Sequence, residues 1–213
     1  MIRLVIADDH AIVREGLKRI IEEAPDLKLE AETGDGNEVM KLLREREFDV
    51  LVTDLSMPGR SGMELIKLAK AERPRLRILV LSMHQEAQYA VRAIKSGASG
   101  YLTKESAPGQ LVQAIRKIAA GGAYISAEVA EQLALGAMPG SEKPPHEMLS
   151  DREFEVFRQL VAGVSVTEIA AHLNLSMKTM STHKTNLMAK LNLGNQSELV
   201  RYTIHHKLAG EDV

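Results

Sequence analysis

The chain of 213 residues contains no cysteine and no tryptophan. Without cysteine it can form no disulfide, carry no thiol nucleophile and build none of the usual structural zinc sites, which is compatible with a reducing compartment. It also lacks both an apolar run of the roughly 18 residues that a transmembrane helix needs and a charged leader with a cleavage site. We therefore expect a cytoplasmic protein with no membrane partner.

An excess of positive charge is missing as well. The chain has 27 Lys and Arg residues and 29 Asp and Glu residues, which gives a formal net charge of −2. A nucleic-acid contact would therefore need a local cluster of cations rather than a global basic field. The length accommodates a domain of about 120 residues and a smaller one.

The first half of the sequence repeats β-rich runs separated by segments with apolar residues at helical spacing. The runs, between Ile2 and about Thr103, are IRLVIAD, LKLEAET, DVLVTD, RILVLS and GYLTK. This pattern predicts an α/β doubly wound five-stranded parallel sheet with helices on both faces. In such a fold the functional groups collect at the carboxyl ends of the strands.

The second half has no β-rich runs. After a helix-like PGQLVQAIRKIAAGG and a short helix near Ser126 to Leu135, GAMPGSEKPPHEM reads as a flexible linker because it is rich in proline and glycine. Residues 149–208 then read as four helices with N-caps at Ser150, Ser165 and Ser176 and a stop at Gly163. We predict a first domain over residues 1–122, a connecting segment over 123–147 and a second domain over 148–213.

Polar residues mark the carboxyl ends of four of the predicted strands: Asp8 and Asp9, Asp54, Ser82 and Lys104. Three carboxylates about 5 Å apart repel by roughly 3 kcal/mol per pair at an effective dielectric constant near 20, so a cation is expected among them. Mg²⁺ fits best because it prefers oxygen ligands and can also bind a phosphoryl oxygen. We take Asp54 as a nucleophile toward phosphorus, with Lys104 and Ser82 holding the incoming oxygens.

Each of these polar residues could instead have a purely structural role in its own turn or helix start. A single Asp at a strand end is more often a cap or turn residue, and only the joint placement favours chemistry. His10 follows the acidic pair, and we interpret it as a polar residue that starts a helix rather than as a metal ligand.

Four segments, VIADDHAIVREGL, VTDLSMPGRSGMEL, VLSMH and GASGYLTK, resemble receiver domains of the NarL/FixJ response-regulator family. The resemblance implies a flavodoxin-like receiver fold in which Asp9, Asp54 and the Ser56 carbonyl ligate Mg²⁺ and Asp8 assists. It implies that Lys104 pairs with the phosphoryl group, that Ser82 responds to it and that Tyr101 rotates inward as an aromatic switch. Pro58 and Gly62 would shape the loop after Asp54. The alternative for Tyr101 is ordinary packing of a strand aromatic.

Two segments of the second half, Thr167 to Leu173 and Met177 to Leu191, have the spacing of two helices joined by a tight turn. On the second helix, Met180, Leu187 and Leu191 share one face, and the opposite face carries Lys178, Ser181, Thr182 and Thr185. From Lys178 to Lys190 there are three lysines, one histidine and no acid. Such a helix fits the major groove, with lysines on phosphates and hydroxyls at base edges. A solvated, lysine-bearing helix face is the alternative.

The segments LSDRE, VTEIAAHLNLS, KTMSTH and KLNL are similar to the LuxR-type helix-turn-helix, an all-α four-helix domain. Glu153 and Glu168 match the structural acids of that family. The DNA-contacting residues would be Lys178, Thr179, Ser181, Thr182, Lys184 and Thr185. The chain departs from the family at Met180, Ser181, Gly194 and Gln196, the last three standing where basic residues are frequent. Fewer cations imply a weaker monomer that depends on dimerisation. A last helix near Gln196 to Leu208 would use Leu199, Val200, Thr203 and Ile204 either as a dimer contact or as core.

These features together predict a two-component response regulator. A partner sensor histidine kinase would phosphorylate Asp54, and phosphorylation would control homodimerisation or release of the recognition helix, and with it sequence-specific binding to double-stranded promoter DNA. RNA polymerase is an open candidate partner, and we expect no separate enzymatic activity. One rival is a phosphatase of the haloacid-dehalogenase type, but that class has a second Asp two residues after the nucleophile, where this chain has Ser56. The other rival keeps the DNA-binding domain but makes the receiver a phosphorylation-independent interaction module, and the intact acidic pocket argues against it.

Overall fold

The structure is a computed structural model that describes residues 1–57, 62–83, 87–137, 144–173, 175–206 and 208. The chain divides into two compact units, Met1–Ala134 and Leu135–Val213. No helix in the described ranges is both long and apolar enough to cross a bilayer.

The first unit is built on five parallel strands. They are β1 (Ile2–Ala7), β2 (Leu27–Thr33), β3 (Val50–Asp54), β4 (Arg77–Ser82) and β5 (Gly100–Thr103). Their order in the sheet is β2-β1-β3-β4-β5, and every neighbouring pair is parallel. This is the strand order of the flavodoxin-like doubly wound fold, so the predicted fold class is confirmed.

Five helices connect these strands or follow the last one: α1 (Ala11–Glu22), α2 (Gly36–Glu45), α3 (Gly62–Glu72), α4 (Ala87–Lys95) and α5 (Ala107–Ala119). The helices α1 and α5 pack with the sheet around Leu4, Ile6 and Val52 in one core cluster. Val5 and Leu51, whose side chains point to the opposite face of the sheet, are equally buried. Both faces of the sheet are therefore covered, as parallel sheets require.

The segment after α5 stays with the first unit. The backbone of Tyr124 pairs with β5, where its carbonyl accepts a hydrogen bond from Tyr101 N (2.9 Å) and its N–H donates to Ser99 O (3.1 Å). The helix α6 (Ala127–Gly136) follows and buries Val129. The predicted connecting segment, residues 123–147, therefore begins in a folded region, and α6 lies where the short helix near Ser126 to Leu135 was predicted.

The second unit is helical. A short 3₁₀ helix, Pro145–Met148, precedes α7 (Asp151–Val161), α8 (Val166–His172), α9 (Met177–Leu191) and α10 (Gln196–His205). Ser150, Ser165 and Ser176 each cap a helix by accepting a hydrogen bond from the backbone N–H three residues on, as predicted. Gly163 follows α7 with a φ of 79°, the left-handed conformation in which a helix-ending glycine is favoured.

The predicted linker GAMPGSEKPPHEM needs a correction at its end. Residues 138–143 lie outside the described part of the chain, but Pro145–Met148 are folded. His146 is 5% exposed, and its Nδ1 lies 3.0 Å from the hydroxyl of Tyr202 on α10. Because this contact joins residues 56 positions apart, proline content alone could not reveal it.

Candidate functional site

The carboxyl edge of the sheet brings the predicted acidic residues together. Asp8 directly follows β1, Asp54 ends β3 and Lys104 directly follows β5. Asp8, Asp9, His10 and Asp54 each offer a ligand atom, and these atoms all lie within 4.8 Å of one another. We call these four residues and Lys104 the acidic pocket.

Lys104 is the cation of the acidic pocket. Its Nζ lies 2.7 Å from Asp54 Oδ2 and 2.7 Å from Asp8 Oδ2. All three side chains are buried, with 8% of Lys104, 5% of Asp54 and none of Asp8 exposed. One ammonium therefore partly neutralises two buried carboxylates, which leaves the pocket with an excess of negative charge.

The second oxygens of these two carboxylates have backbone partners. Ser56 N donates to Asp54 Oδ1 (3.2 Å), and His10 N donates to Asp8 Oδ1 (2.9 Å). The loops that follow β1 and β3 thus fix the orientation of both carboxylates. Ser56 is the residue whose carbonyl is a predicted metal ligand, and the structure places its backbone beside Asp54.

Burial and charge shift the proton affinities of the pocket. Burial raises the pKa of the Asp54 carboxyl, Lys104 opposes this shift through a hydrogen bond and its charge, and the negative charge of Asp8 adds to it. Burial would lower the pKa of Lys104, but its contacts with Asp54 and Asp8 outweigh burial and raise it. Lys104 therefore stays charged, and a further cation would reduce the cost of burying a charged Asp54 carboxylate.

The predicted switch residues lie on β4 and β5. Ser82 ends β4 and is 1% exposed, and its carbonyl accepts a hydrogen bond from Lys104 N (2.8 Å). Tyr101 on β5 is almost fully buried, with 9% of its surface exposed. Gly62 begins α3 with a φ of 59°, a conformation that glycine adopts without strain, whereas Pro58 lies outside the described residues.

The recognition helix predicted in the second half corresponds to α9. Met180, Leu187 and Leu191 are buried on one face, while Lys178, Thr179, Ser181, Thr182 and Thr185 are exposed; Lys184 is half-buried. The preceding helix α8 begins and ends one residue earlier than predicted. The division of α9 into a packing face and an exposed polar face matches the predicted periodicity.

Some of the polar groups on α9 already have partners within the second unit. The Thr179 hydroxyl lies 2.8 Å from that of the N-cap Ser176, and the Thr182 hydroxyl donates to Lys178 O (3.0 Å). Lys190 Nζ lies 2.6 Å from Oε2 of the buried Glu153. Lys190 therefore supports the packing of α7 against α9, and the helix has fewer cations for an anionic partner than its sequence suggests.

Glu153 and Glu168, matched by resemblance to structural acids, close two capping boxes. Each accepts a hydrogen bond from the backbone N–H of its N-cap, Ser150 (2.7 Å) or Ser165 (3.0 Å). On α10, Leu199 and Thr203 are buried and Ile204 is 62% exposed. The apolar residues of α10 therefore divide between core and surface.

Comparison with known proteins identifies both units. Residues 4–116 match the model of the response regulator receiver domain, and residues 147–203 match that of bacterial regulatory proteins of the luxR family. The chain belongs to the NarL/FixJ family of response regulators. Response regulator UvrY of Escherichia coli (strain K12) is 34% identical over 213 residues, which cover 100% of this chain and 98% of UvrY.

Solved structures of RcsB resemble this NarL/FixJ regulator along most of its length. RcsB from Salmonella enterica serovar Typhimurium bound to promoter rprA in the presence of the phosphomimetic BeF₃⁻ has a TM-score of 0.67 at 32% identity, covering 95% of this chain and 98% of that one. A structure of two RcsB dimers bound to two parallel DNAs has a TM-score of 0.59 at 33% identity, covering 94% and 97%.

The domain bounds 1–122, 123–147 and 148–213 stay predictions, because the family models match only residues 4–116 and 147–203. Sequence reasoning missed three features of this response regulator: the contact of His10 with Asp9, the ion pair of Lys190 with Glu153 and the burial of His146. Only the position of His10 beside Asp8 and Asp9 could have signalled one of them.

Proposed function

We propose that Asp54 is the phosphoacceptor of this response regulator and that its phosphorylation controls DNA binding by α9. The observation that carries the proposal is the buried Asp54 carboxylate, fixed between Lys104 and the Ser56 N–H at the edge where Asp8 and Asp9 also lie. A partner sensor histidine kinase would supply the phosphoryl group. An Asp54 oxygen would form the new bond to phosphorus while the bond from phosphorus to the donor breaks.

The acidic pocket fits a divalent cation, which we infer to be Mg²⁺. Among the described residues, the fully buried Asp8 Oδ2 accepts no hydrogen bond of good geometry, although it lies 2.7 Å from Lys104 Nζ. Carboxylate oxygens are the ligands that Mg²⁺ prefers. Asp9 and Asp54 with the Ser56 carbonyl would hold the ion, and Asp8 would assist. When bound, the ion would offset charge on the phosphoryl oxygens.

The neighbours of Asp54 would report its phosphorylation. A phosphoryl group adds about −1.5 to −2 charges and three acceptor oxygens. Lys104 would pair with it, the Ser82 hydroxyl would move to donate to it, and Tyr101 would follow as the aromatic switch. Because Asp54 and Ser82 lie on adjacent strands, this response needs only a local movement at the sheet edge.

On DNA, Lys178 and Lys184 would contact phosphates, while Ser181, Thr182, Thr185 and Thr179 would face the base edges. The relative RcsB has been solved as dimers on DNA, which supports a homodimer on two half-sites about 10 bp apart. Dimerisation would also offset the small number of free cations on α9. Contact with RNA polymerase and a cytoplasmic location stay predictions.

We further infer that the chain turns over no separate substrate. A phosphatase of the aspartyl-phosphate class needs an acid two residues after its nucleophile, and Ser56 occupies that position. Ser56 has no carboxyl to protonate a leaving group or activate water. The receiver would therefore catalyse only its own phosphorylation and dephosphorylation.

The test is to treat the full-length protein with acetyl phosphate and Mg²⁺ and to follow intact mass, dimerisation and operator binding. We expect a mass increase of one phosphoryl group in the wild type and in Asp26→Asn, which alters a carboxylate outside the pocket, but not in Asp54→Ala. Beryllofluoride should promote dimerisation and DNA binding of the wild type but not of Asp54→Ala. An equal mass increase in Asp54→Ala would refute the assignment.

A further inference from the structure

His10 is the N-cap residue of α1, but its side chain does not cap the helix. The structure shows no side-chain hydrogen bond from His10 to the helix, although capping is the usual reason for a polar residue at this position. Instead, His10 Nδ1 lies 2.7 Å from Asp9 Oδ1 and 3.4 Å from Asp8 Oδ1. The His10 ring is therefore oriented toward the carboxylates of Asp9 and Asp8 and not toward the backbone of α1.

The acidic pocket consists of two chemically different halves. Its inner half contains the buried carboxylates of Asp8 and Asp54, which share Lys104. Its outer half contains Asp9, 33% exposed, and His10, 62% exposed, which contact each other. An ion arriving from solvent would thus meet an imidazole nitrogen and a carboxylate before it reaches the inner oxygens.

An imidazole changes which ions such a pocket favours. Mg²⁺ prefers oxygen and gains little from a neutral nitrogen donor. Mn²⁺, Co²⁺ and Ni²⁺ accept both oxygen and imidazole ligands, with affinities that rise in that order. A pocket with three carboxylates and one histidine within 4.8 Å is therefore a mixed oxygen and nitrogen donor set rather than an oxygen-only one.

We propose that His10 is a ligand for borderline divalent ions in the acidic pocket and raises its selectivity for Ni²⁺ and Mn²⁺ over Mg²⁺ above that of the carboxylates alone. The proposal rests on the proposed metal site at Asp9 and Asp54. It assigns His10 a direct contact with the ion, not a positioning role through Asp9.

The experiment compares the full-length wild type with His10→Asn, because asparagine is itself a favoured N-cap and should leave α1 intact. Calorimetry would measure the affinities for Ni²⁺ and Mg²⁺. Only the Ni²⁺ that excess Mg²⁺ displaces would be counted as bound in the acidic pocket. Electron spin-echo envelope modulation of bound Mn²⁺ would detect a nitrogen ligand. His172→Asn, which alters a histidine paired with Gln159 in the second unit, is the matched control.

We expect His10→Asn to weaken Ni²⁺ binding by about tenfold or more, since even partners beyond the direct ligands are worth 10–100-fold in metal affinity. Mg²⁺ binding should be unchanged, and the nitrogen modulation of Mn²⁺ should disappear in His10→Asn and persist in His172→Asn. Equal weakening of Ni²⁺ and Mg²⁺, or an unchanged nitrogen modulation, would overturn the proposal while leaving the metal site in place. If wild type bound neither ion competitively, the metal site itself would fail and the proposal with it.

Discussion

In the first unit, Asp8 and Asp54 are buried around a single lysine, whereas in the second unit Lys178 and its neighbouring hydroxyls lie on an exposed helix face. Charges in the acidic pocket interact at short distance in a region of low dielectric, so removal of one changes the energy of the others. The charge of Lys178 on α9 is solvated and nearly independent of its neighbours. A single substitution in the acidic pocket should therefore have a large effect on stability. Substitutions on the exposed face of α9 should each have a small effect on DNA affinity, and these effects should add.

The largest expected effect is that of Lys104→Met. Without the lysine, the buried carboxylates of Asp8 and Asp54 would lose the cation that contacts both of them, and breaking a buried pair typically costs about 3–5 kcal/mol. We expect a loss of this size in the free energy of unfolding, measured by urea denaturation with a chelator present, and a smaller loss with Mg²⁺.

The matched control for this substitution is Lys41→Met, because Lys41 faces Glu45 across one helical turn at 3.9 Å but is 73% exposed. An exposed pair contributes only about 0–1 kcal/mol. If the two variants lost equal stability, burial would not distinguish the pocket from the surface.

The next largest effect concerns the helix face. The double variant Lys178→Ala, Lys184→Ala should lower affinity about tenfold or more for every DNA sequence and reduce the salt slope by about two, since each phosphate contact contributes about one. Fluorescence anisotropy with operator and random duplexes at several salt concentrations would measure both quantities. Lys41→Ala serves as the control, and an unchanged salt slope would place the DNA contact on a different surface.

A smaller effect is expected at Glu153, a buried carboxylate of the second unit that pairs with a lysine as Asp54 does in the first. Burial opposes ionisation of Glu153, but hydrogen bonds from Lys190 and Ser150 outweigh burial and lower its pKa below the ordinary 4.5. The resulting stability is present above pH 4.5 and is lost as the pH falls through the lowered value. Glu153→Gln should cost about 1 kcal/mol at pH 7 and little in acid, as measured by thermal unfolding across pH. A pH-independent loss would indicate altered packing instead.

These contacts also show where sequence reasoning succeeds. The five strands, the three serine caps and the buried face formed by Met180, Leu187 and Leu191 were predictable because each depends on a local pattern of two to four residues. The gathering of Asp8, Asp54 and Lys104 was predictable as well, because parallel strands end at a common edge.

The rest depends on contacts that have no local pattern. Lys190 meets Glu153 across 37 positions, and His146 meets Tyr202 across 56. Whether a hydroxyl such as that of Thr182 faces a partner or bonds to its own helix depends on its rotamer, which spacing does not specify. Sequence therefore identified which face of α9 is polar but not how many groups on it are free.

The smallest expected effect is at an ion pair on the surface of the first unit. Arg116 Nη2 lies 2.6 Å from Asp26 Oδ1, and this hydrogen bond lowers the pKa of Asp26 to about 2 even though both side chains are about half exposed. Asp26→Asn should leave urea stability almost unchanged at physiological salt, because exposed pairs are screened. Carboxyl chemical shifts in Arg116→Gln should show Asp26 titrating near its ordinary value of 3.8. A titration still near 2 would show that Arg116 is not the cause.

The pairing of Tyr124 with β5 has a practical consequence for work on isolated fragments. β5 is the last strand of its sheet, and an open strand edge invites pairing with another molecule and aggregation. A fragment that stops at residue 122 would remove Tyr124 and leave the Ser99 carbonyl and the Tyr101 N–H without this backbone partner. A fragment that continues to Ala134 would keep that edge covered and should be the better-behaved sample for crystallisation or NMR.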